Sequence, residues 1–184
     1  RKSGGSVWSF GDNWRGQLGD GNASTNRATP VKVIESNAKQ IAASWSFGMV
    51  LLENGSLLAT GANFDGQLGD GTTLDRNQSV EVFSSGINQV ATGIGHTMIL
   101  KTDGSLWTVG SNLFGQLGTG QSGGGNNSFD EDIDEKTPVQ VVASGVSKLV
   151  NLQANSAPII TQGAGPITFT IPEDAGVVSW SAWD

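Results

Sequence analysis

In 184 residues, 17 Asp and Glu stand against 10 Lys and Arg, a formal charge of -7 with an isoelectric point near 4.5; such a surface repels phosphate backbones and argues against direct nucleic-acid binding. Cysteine is absent and His96 is the only histidine, which excludes disulfides, thiolate chemistry and a metal site built on several histidines. Glycine accounts for 27 residues, about twice the roughly 7% of ordinary proteins, with no G-X-Y period.

Many glycines without that period predict many tight turns and short strands, and no helix-period apolar stretch reaches ten residues, so the chain reads as all-β. No run of 18 apolar residues is present, and the opening RKSGGSVW is not a signal peptide. That opening falls just before an expected strand, which predicts a piece of a longer chain.

In chain order the text repeats itself. GSVW, GSLL and GSLW begin at Gly5, Gly55 and Gly104, and GQLG begins at Gly16, Gly66 and Gly115. TPVKV, QSVEV and TPVQV follow, then QIAAS, QVATG and KLVNL. The steps are 50 and 49 residues, except that the third copy has about ten extra residues near Gln121–Lys136. A period near 50 filled with short strands predicts a β-propeller with one unit per blade.

Within a unit the expected strands are Gln89–Thr92, Thr97–Lys101, Ser105–Val109 and an outer Pro138–Val142. Asn54-Gly55 and Asp103-Gly104 suit two-residue hairpins in which both turn residues have positive φ. The third strand is apolar on both faces (Val7, Trp8 and Phe10; Leu106, Trp107 and Val109), as expected of blades stacked between neighbours. In GQLG, the glycines permit positive φ, Leu18, Leu68 and Leu117 enter the groove between blades, and Gln17, Gln67 and Gln116 tie loop backbone together. No Lys-Ser or Lys-Thr follows, so this is not a phosphate loop.

These motifs, G-S-L-W-T-V-G-S-N-x-x-G-Q-L-G-T-G, then T-P-V, then Q-V-A-T-G-I-G-H-T-M-I-L-K-T-D-G, resemble the regulator of chromosome condensation repeat over about residues 4–150. The resemblance implies four-stranded blades in a seven-bladed ring. Family members act mainly as protein-binding rings; the eukaryotic founder is a guanine-nucleotide exchange factor for a small nuclear GTPase, and a bacterial relative inhibits β-lactamase. About three repeats cannot close a ring of four to eight blades, so the expectation is a partial propeller with an incomplete ring, plus a short β tail. Open blade edges would then favour self-association.

Residues 1–150 are accordingly read as partial propeller and 151–157 as linker. Residues 158–184, PIITQGAGPITFTIPEDAGVVSWSAWD, resemble the start of a cadherin-like or immunoglobulin-like bacterial surface domain. That tail points to a larger secreted or surface protein; composition leaves a cytoplasmic location open.

Catalytic signals are poor. His96, in G-H-T at the head of the second strand, reads as a structural, hydrogen-bonding histidine, and Phe47 holds its place in the preceding unit. Asp130, Asp132 and Asp134 begin a D-x-D-x-D calcium loop, but Glu135 replaces the required Gly at position six and Val141 the Glu at position twelve. A solvated acidic loop fits better, so no metal, cofactor or catalytic residue is assigned. Asn-x-Ser sequons at Asn22, Asn54, Asn77 and Asn126 match chance in so Asn- and Ser-rich a text.

The informative positions vary between copies on a constant frame. Trp14, Phe64 and Leu113 share one place before GQLG, and Arg15, Asp65 and Phe114 share the next. Repeat proteins bind through such positions, and aromatics with Arg are common interface anchors; the alternative is that the first column covers the blade beneath. The reading is a non-enzymatic protein-binding scaffold, with protein or glycan as partner. Its alternative is a guanine-nucleotide exchange regulator of a small GTPase.

Overall fold

The structure is a computed structural model that describes residues 3–123, 133–150 and 159–162, with Val150 and Ile159–Gln162 given by their backbone. Among the described residues twelve strands form four antiparallel sheets. Strands β3 (Ala38–Ala43), β4 (Phe47–Leu52), β5 (Leu57–Gly61) and β6 (Arg76–Phe83) make one four-stranded blade in chain order. Strands β7 (Ile87–Thr92), β8 (His96–Lys101), β9 (Leu106–Gly110) and β10 (Glu135–Val142) make the next. Before them β1 (Val7–Gly11) pairs with β2 (Arg27–Ile34), the outer half of a blade; after them β11 (Val146–Val150) pairs with β12 (Ile159–Gln162). The fold is all-β and propeller-like, and the ring is not closed among the described residues.

The strands of the third unit match those expected from sequence, with β10 starting three residues earlier than Pro138. Val146 and Leu149 of β11 pack on Ala91, Met98, Leu100 and Leu106, so β11 continues the stack. The pairing of β12 with β11 repeats that of β8 with β7. Otherwise the tail expected to begin a surface domain lies outside the described residues, as do Asn126, Asp130 and Asp132.

The blades are held by side chains buried between sheets. One cluster joins Phe47, Met49, Leu51 and Leu57 of the first full blade to Ile87, Val90, Ile99 and Val109 of the next, with Leu68 among them. Leu18, Leu68 and Leu117 are all buried, as expected. Each such leucine contributes about 1.5–3 kcal/mol of transfer free energy. Stacking on both sides also explains β8, which is buried over five consecutive residues rather than on alternate ones.

The hairpins depart from expectation. Gly55 and Gly104 have φ of 83° and 79°, but Asn54 and Asp103 do not have positive φ. The Gly55 N–H bonds Leu52 O and the Leu52 N–H bonds Ser56 O, which makes a three-residue loop with glycine in the left-handed position. Asn54 Oδ1 accepts from Ser56 N and Oγ, and Asp103 Oδ1 does the same for Ser105. That Asx-type bond stabilises the ordinary φ of Asn54 and Asp103 and removes any need for a second left-handed residue.

Strand alternation puts two kinds of loop at one end of the blades: the short β3–β4 and β7–β8 turns, and the long GQLG loops. Among the described residues, the exposed large apolar side chains all lie at that end except Ile41: Phe10, Trp14, Trp45, Phe64, Leu74, Ile94 and Phe114. The opposite end, among the described residues, carries only short polar turns such as Glu53–Ser56 and Thr102–Ser105.

Candidate functional site: the GQLG rim

Each GQLG loop is organised by a buried asparagine that sequence reasoning passed over. Asn13, Asn63 and Asn112 are fully buried. Each Oδ1 accepts the N–H of the loop leucine, Leu18 at 3.1 Å, Leu68 at 2.9 Å and Leu117 at 3.1 Å. Each Nδ2 donates to a carbonyl nine residues on, those of Asn22, Thr72 and Gln121. The asparagine backbone N–H is in turn capped by Asn26, Asp75 or Asp134. A side chain with both an acceptor and two donors is the type that can satisfy both sides of a buried loop. Its signal was present in the text, since Asn recurs three residues before each GQLG glycine.

The glutamines behave as expected: Gln17, Gln67 and Gln116 accept from the backbone N–H of Arg15, Asp65 and Phe114. Gln17 also donates to Asp12 at 3.0 Å, whereas Gln67, with Ala62 in the place of Asp12, leaves its buried Nε2 without a partner among the described residues. The first glycine of the motif has a second duty. Gly16 has φ of 76°, and a Cβ there would lie 2.6 Å from Asn77 Cα on the next blade; Gly66 meets Lys136 Cα at 2.7 Å in the same way. Both the conformation and the close approach require glycine.

Ion pairs brace the first two loops. Arg27 donates to Asp20 and Arg76 to Asp70, each through Nε at 2.6 Å. Burial pushes both carboxyls upward, but hydrogen bonds from Asn22 and Arg27, and from Thr72 and Arg76, outweigh it and hold both below the usual range. In the third loop both partners change together, to Thr119 and Glu135, and Thr119 bonds Asn112 instead.

The variable columns lie on this frame. Trp14, Phe64 and Phe114 are exposed by 68%, 55% and 44%, so the first two are not blade cover, whereas Leu113 is partly buried. Arg15 reaches the next blade, donating to Asp75 at 3.2 Å with its guanidinium 5.9 Å from the Phe64 ring centre. Asp65 faces the next blade in the same manner but meets Asp134. Burial, and then the Asp134 charge, raise Asp65 to about 6.

His96 is buried, and burial pulls its imidazole down to about 4. Its ring lies against Gly93, and among the described residues neither nitrogen has a hydrogen-bond partner, so packing rather than the expected hydrogen bonding defines it. Phe47, its equivalent, is likewise buried. Asp134 caps Asn112 N at 2.8 Å, the architectural duty of Asp75, which explains one acid of the D-x-D-x-D run without calcium. Among the described residues no group of three His, Asp or Glu is placed to hold a metal, and no helix is long and apolar enough to cross a membrane.

The sequence profile of the Regulator of chromosome condensation (RCC1) repeat matches residues 4–51 and 54–100, just over half of the chain. The chain belongs to the RCC1 repeat family. A second RCC1 repeat profile, offset from the first, matches residues 38–67 and 87–116. The second profile's matches cover the first three strands of each complete blade and the start of its GQLG loop. Each match of the first runs instead from the outer half of one blade into the inner half of the next. Solved structures similar to this RCC1-repeat chain include human WBSCR16 (22% identity, TM-score 0.62, 76% of this chain and 34% of that one). Prp20p from Saccharomyces cerevisiae, described with its binding to Gsp1p and histones, is 16% identical, with a TM-score of 0.62 over 74% of this chain and 34% of that one. Yeast RCC1 (Prp20) bound to Kap60 is 21% identical, with a TM-score of 0.63 over 80% and 34%. The chain therefore spans about a third of the length of these relatives, and at such identities the likeness is one of fold. No characterised protein sequence matches significantly.

Proposed function

We propose that this chain is part of a non-enzymatic scaffold that binds protein through the GQLG rim, centred on Trp14, Arg15, Phe64, Asp65, Leu113 and Phe114. One observation carries the reading: among the described residues, large apolar side chains are exposed at one end of the blades and not at the other, on loops whose backbone is internally hydrogen-bonded. Side chains on such a frame change contacts without disturbing the fold, and exposed aromatics lose little rotamer freedom on binding. The RCC1 repeat fold supports it, because Prp20p is described with protein partners. Self-association through the edge of β1 belongs to the same reading. A place in a larger secreted or surface protein is supported by the resemblance of residues 158–184 alone.

The test is site-directed photo-crosslinking in the source cell. A photoreactive phenylalanine at Phe64 or Phe114 should give a protein adduct, and one at Ser84 on the other end should not. Equal adducts from both ends would refute the rim. The alternative, nucleotide exchange on a small GTPase, requires faster release of labelled guanine nucleotide from the captured partner; the scaffold requires saturable binding without turnover.

A further inference from the structure

We infer that copies of this chain dock head to tail, the β11–β12 pair of one copy completing the β1–β2 half-blade of the next by strand addition. The inference rests on the self-association already read from the edge of β1, not on the rim, and names the segment that docks there.

The two half-blades are complementary. In each complete blade the third strand meets the fourth in one irregular register: Leu57 with Phe83, Ala59 with Val80 and Gly61 with Arg76 in β5–β6. In β9–β10 the same places pair Leu106 with Val142, Thr108 with Val139 and Gly110 with Glu135. The β1–β2 pair repeats this register with Val7 and Ile34, Ser9 and Val31, and Gly11 and Arg27, so it is a third and fourth strand. The other pair is a first and second strand. Ile87 with Lys101, Gln89 with Leu100 and Val90 with Ile99 in β7–β8 become Val146 with Gln162, Lys148 with Thr161 and Leu149 with Ile160 in β11–β12. Even the irregularity falls at the same step, between the first and third residues of β7 and of β11. Each pair therefore holds the backbone shape of the half that the other lacks, and among the described residues neither sheet has a third strand.

Burial shows the same seat. Ile41 and Val90 hold one place on the first strand of successive blades. Val90 is 1% exposed, covered by the blade before it, whose Gln40 amide donates to its carbonyl at 2.7 Å and accepts its N–H at 3.1 Å. Ile41 is 37% exposed, and with Trp45, Met49 and Val50 it lines a groove between β1 and the β3–β4 face. At the next joint that position is taken by the first two strands of a blade, β3 and β4, lying against β7. An added strand gains affinity from main-chain hydrogen bonds and selectivity from the apolar surface it covers. The β11–β12 pair suits the place because it is already paired and little ordering remains to be done. Val146 and Leu149 pack on their own copy's last complete blade, and the other face of the sheet would meet the β3–β4 face of the next copy. One copy holds two complete blades and two halves, so two copies joined at both ends carry six blades, within the range of about four to eight for closed propellers. Head-to-tail contacts of this kind close into a ring when the rotation allows it.

The experiment uses the full chain, with light scattering over a concentration series. The 19.0 kDa chain should be a monomer when dilute and a dimer when concentrated. The β8–β9 register, in which Met98 faces Thr108 and Ile99 faces Trp107, sets Ile159 opposite Ser9 and Ile160 opposite Trp8 across the new contact. Because the chain has no cysteine, a Ser9→Cys copy mixed with an Ile159→Cys copy should form the mixed disulfide as the main oxidised product. Ser9→Cys with Thr161→Cys, two residues or about 7 Å out of register, should give about tenfold less. Ile41→Lys should weaken association about tenfold or more, because docking would bury its ammonium. The change moves the chain toward neutrality, so charge repulsion between copies cannot explain the loss. Ile41 is already partly exposed in the single chain, so the dilute variant should melt as the parent does. A chain that stays monomeric when concentrated, equal disulfide yields in and out of register, or association that Ile41→Lys leaves intact would overturn the docking. If Phe114→Ala abolishes association while Ile41→Lys does not, copies meet through the rim instead. If the in-register disulfide forms while photoreactive Phe64 and Phe114 positions give no adduct, the docking stands and the rim fails. A photoreactive phenylalanine at Trp45 that captures a different polypeptide in the source cell would give the groove to another partner and overturn the inference.

Discussion

The two joints of the structure share a backbone and differ in charge. In the first, Arg15 and Asp75 attract; in the second, Asp65 and Asp134 repel. Yet both loops keep the same asparagine hub, the same buried leucine and the same glycine contact with the next blade. The difference teaches that the rim charges do not hold the blades together. Stacked apolar side chains and saturated loop hydrogen bonds do that, and they leave the variable columns free for recognition. An exposed ion pair is worth so little, about 0–1 kcal/mol, that replacing it with a repulsion is tolerable where the frame is strong.

The frame itself is where that comparison breaks most severely. Leu68→Ala empties a fully buried site in the cluster joining the two complete blades and should cost about 3–5 kcal/mol in urea unfolding. Next comes Asn63→Ala. It strands the Leu68 N–H and Thr72 carbonyl inside the loop and should cost about 2–4 kcal/mol, with no compensating gain elsewhere. If either variant melted like the parent, the hubs would not be what keeps unlike joints alike.

Acid sharpens the comparison from the second joint. Asp65, at about 6 in the folded chain against an ordinary 3.8, keeps a proton that the unfolded chain releases, so its contribution to stability rises as pH falls from about 6 toward 4. His96, at about 4 against 6.5, does the reverse: the unfolded chain takes up a proton that the folded one refuses, and stability falls over the same window. The two oppose each other in the native chain. His96→Phe, which copies Phe47, should therefore give a melting temperature that rises on acidification from roughly pH 7 to 4.5, and Asp65→Asn one that falls. Melts of both variants across that range check the assignment, and slopes of the same sign would defeat it.

The smallest effect belongs to the attractive joint. Arg15→Ala removes a pair whose side chains are 47% and 33% exposed, so stability should drop by less than about 1 kcal/mol and the drop should vanish in high salt. A larger loss in denaturation experiments would mean that the pair does hold the joint.

Much of this was legible in the text. The GQLG spacing located the blades, and the burial of its three leucines was rightly expected, with Leu68 in the cluster that joins the two complete blades. The turn geometry at Asn54 and Asp103 was not, since their side-chain bonds to Ser56 and Ser105 favour a loop that dipeptide preference alone does not reveal. The asparagine hubs were visible as a recurring letter but not as a role, because burial and partners nine residues away decide what a polar side chain does. Of the variable columns, exposure separated Trp14, Phe64 and Phe114 from Leu113, a distinction the alignment of copies does not contain.

By itself the sequence determined the repeating unit, its strands and the residues common to each rim loop, because periodicity and glycine placement act over short stretches of chain. Only the tertiary structure decided which varying residue of one copy meets which of the next. Arg15 finds Asp75 sixty residues away, and Asp65 finds Asp134, through the lateral offset of stacked sheets. That offset arises from how neighbouring faces pack, so no local pattern of letters records it.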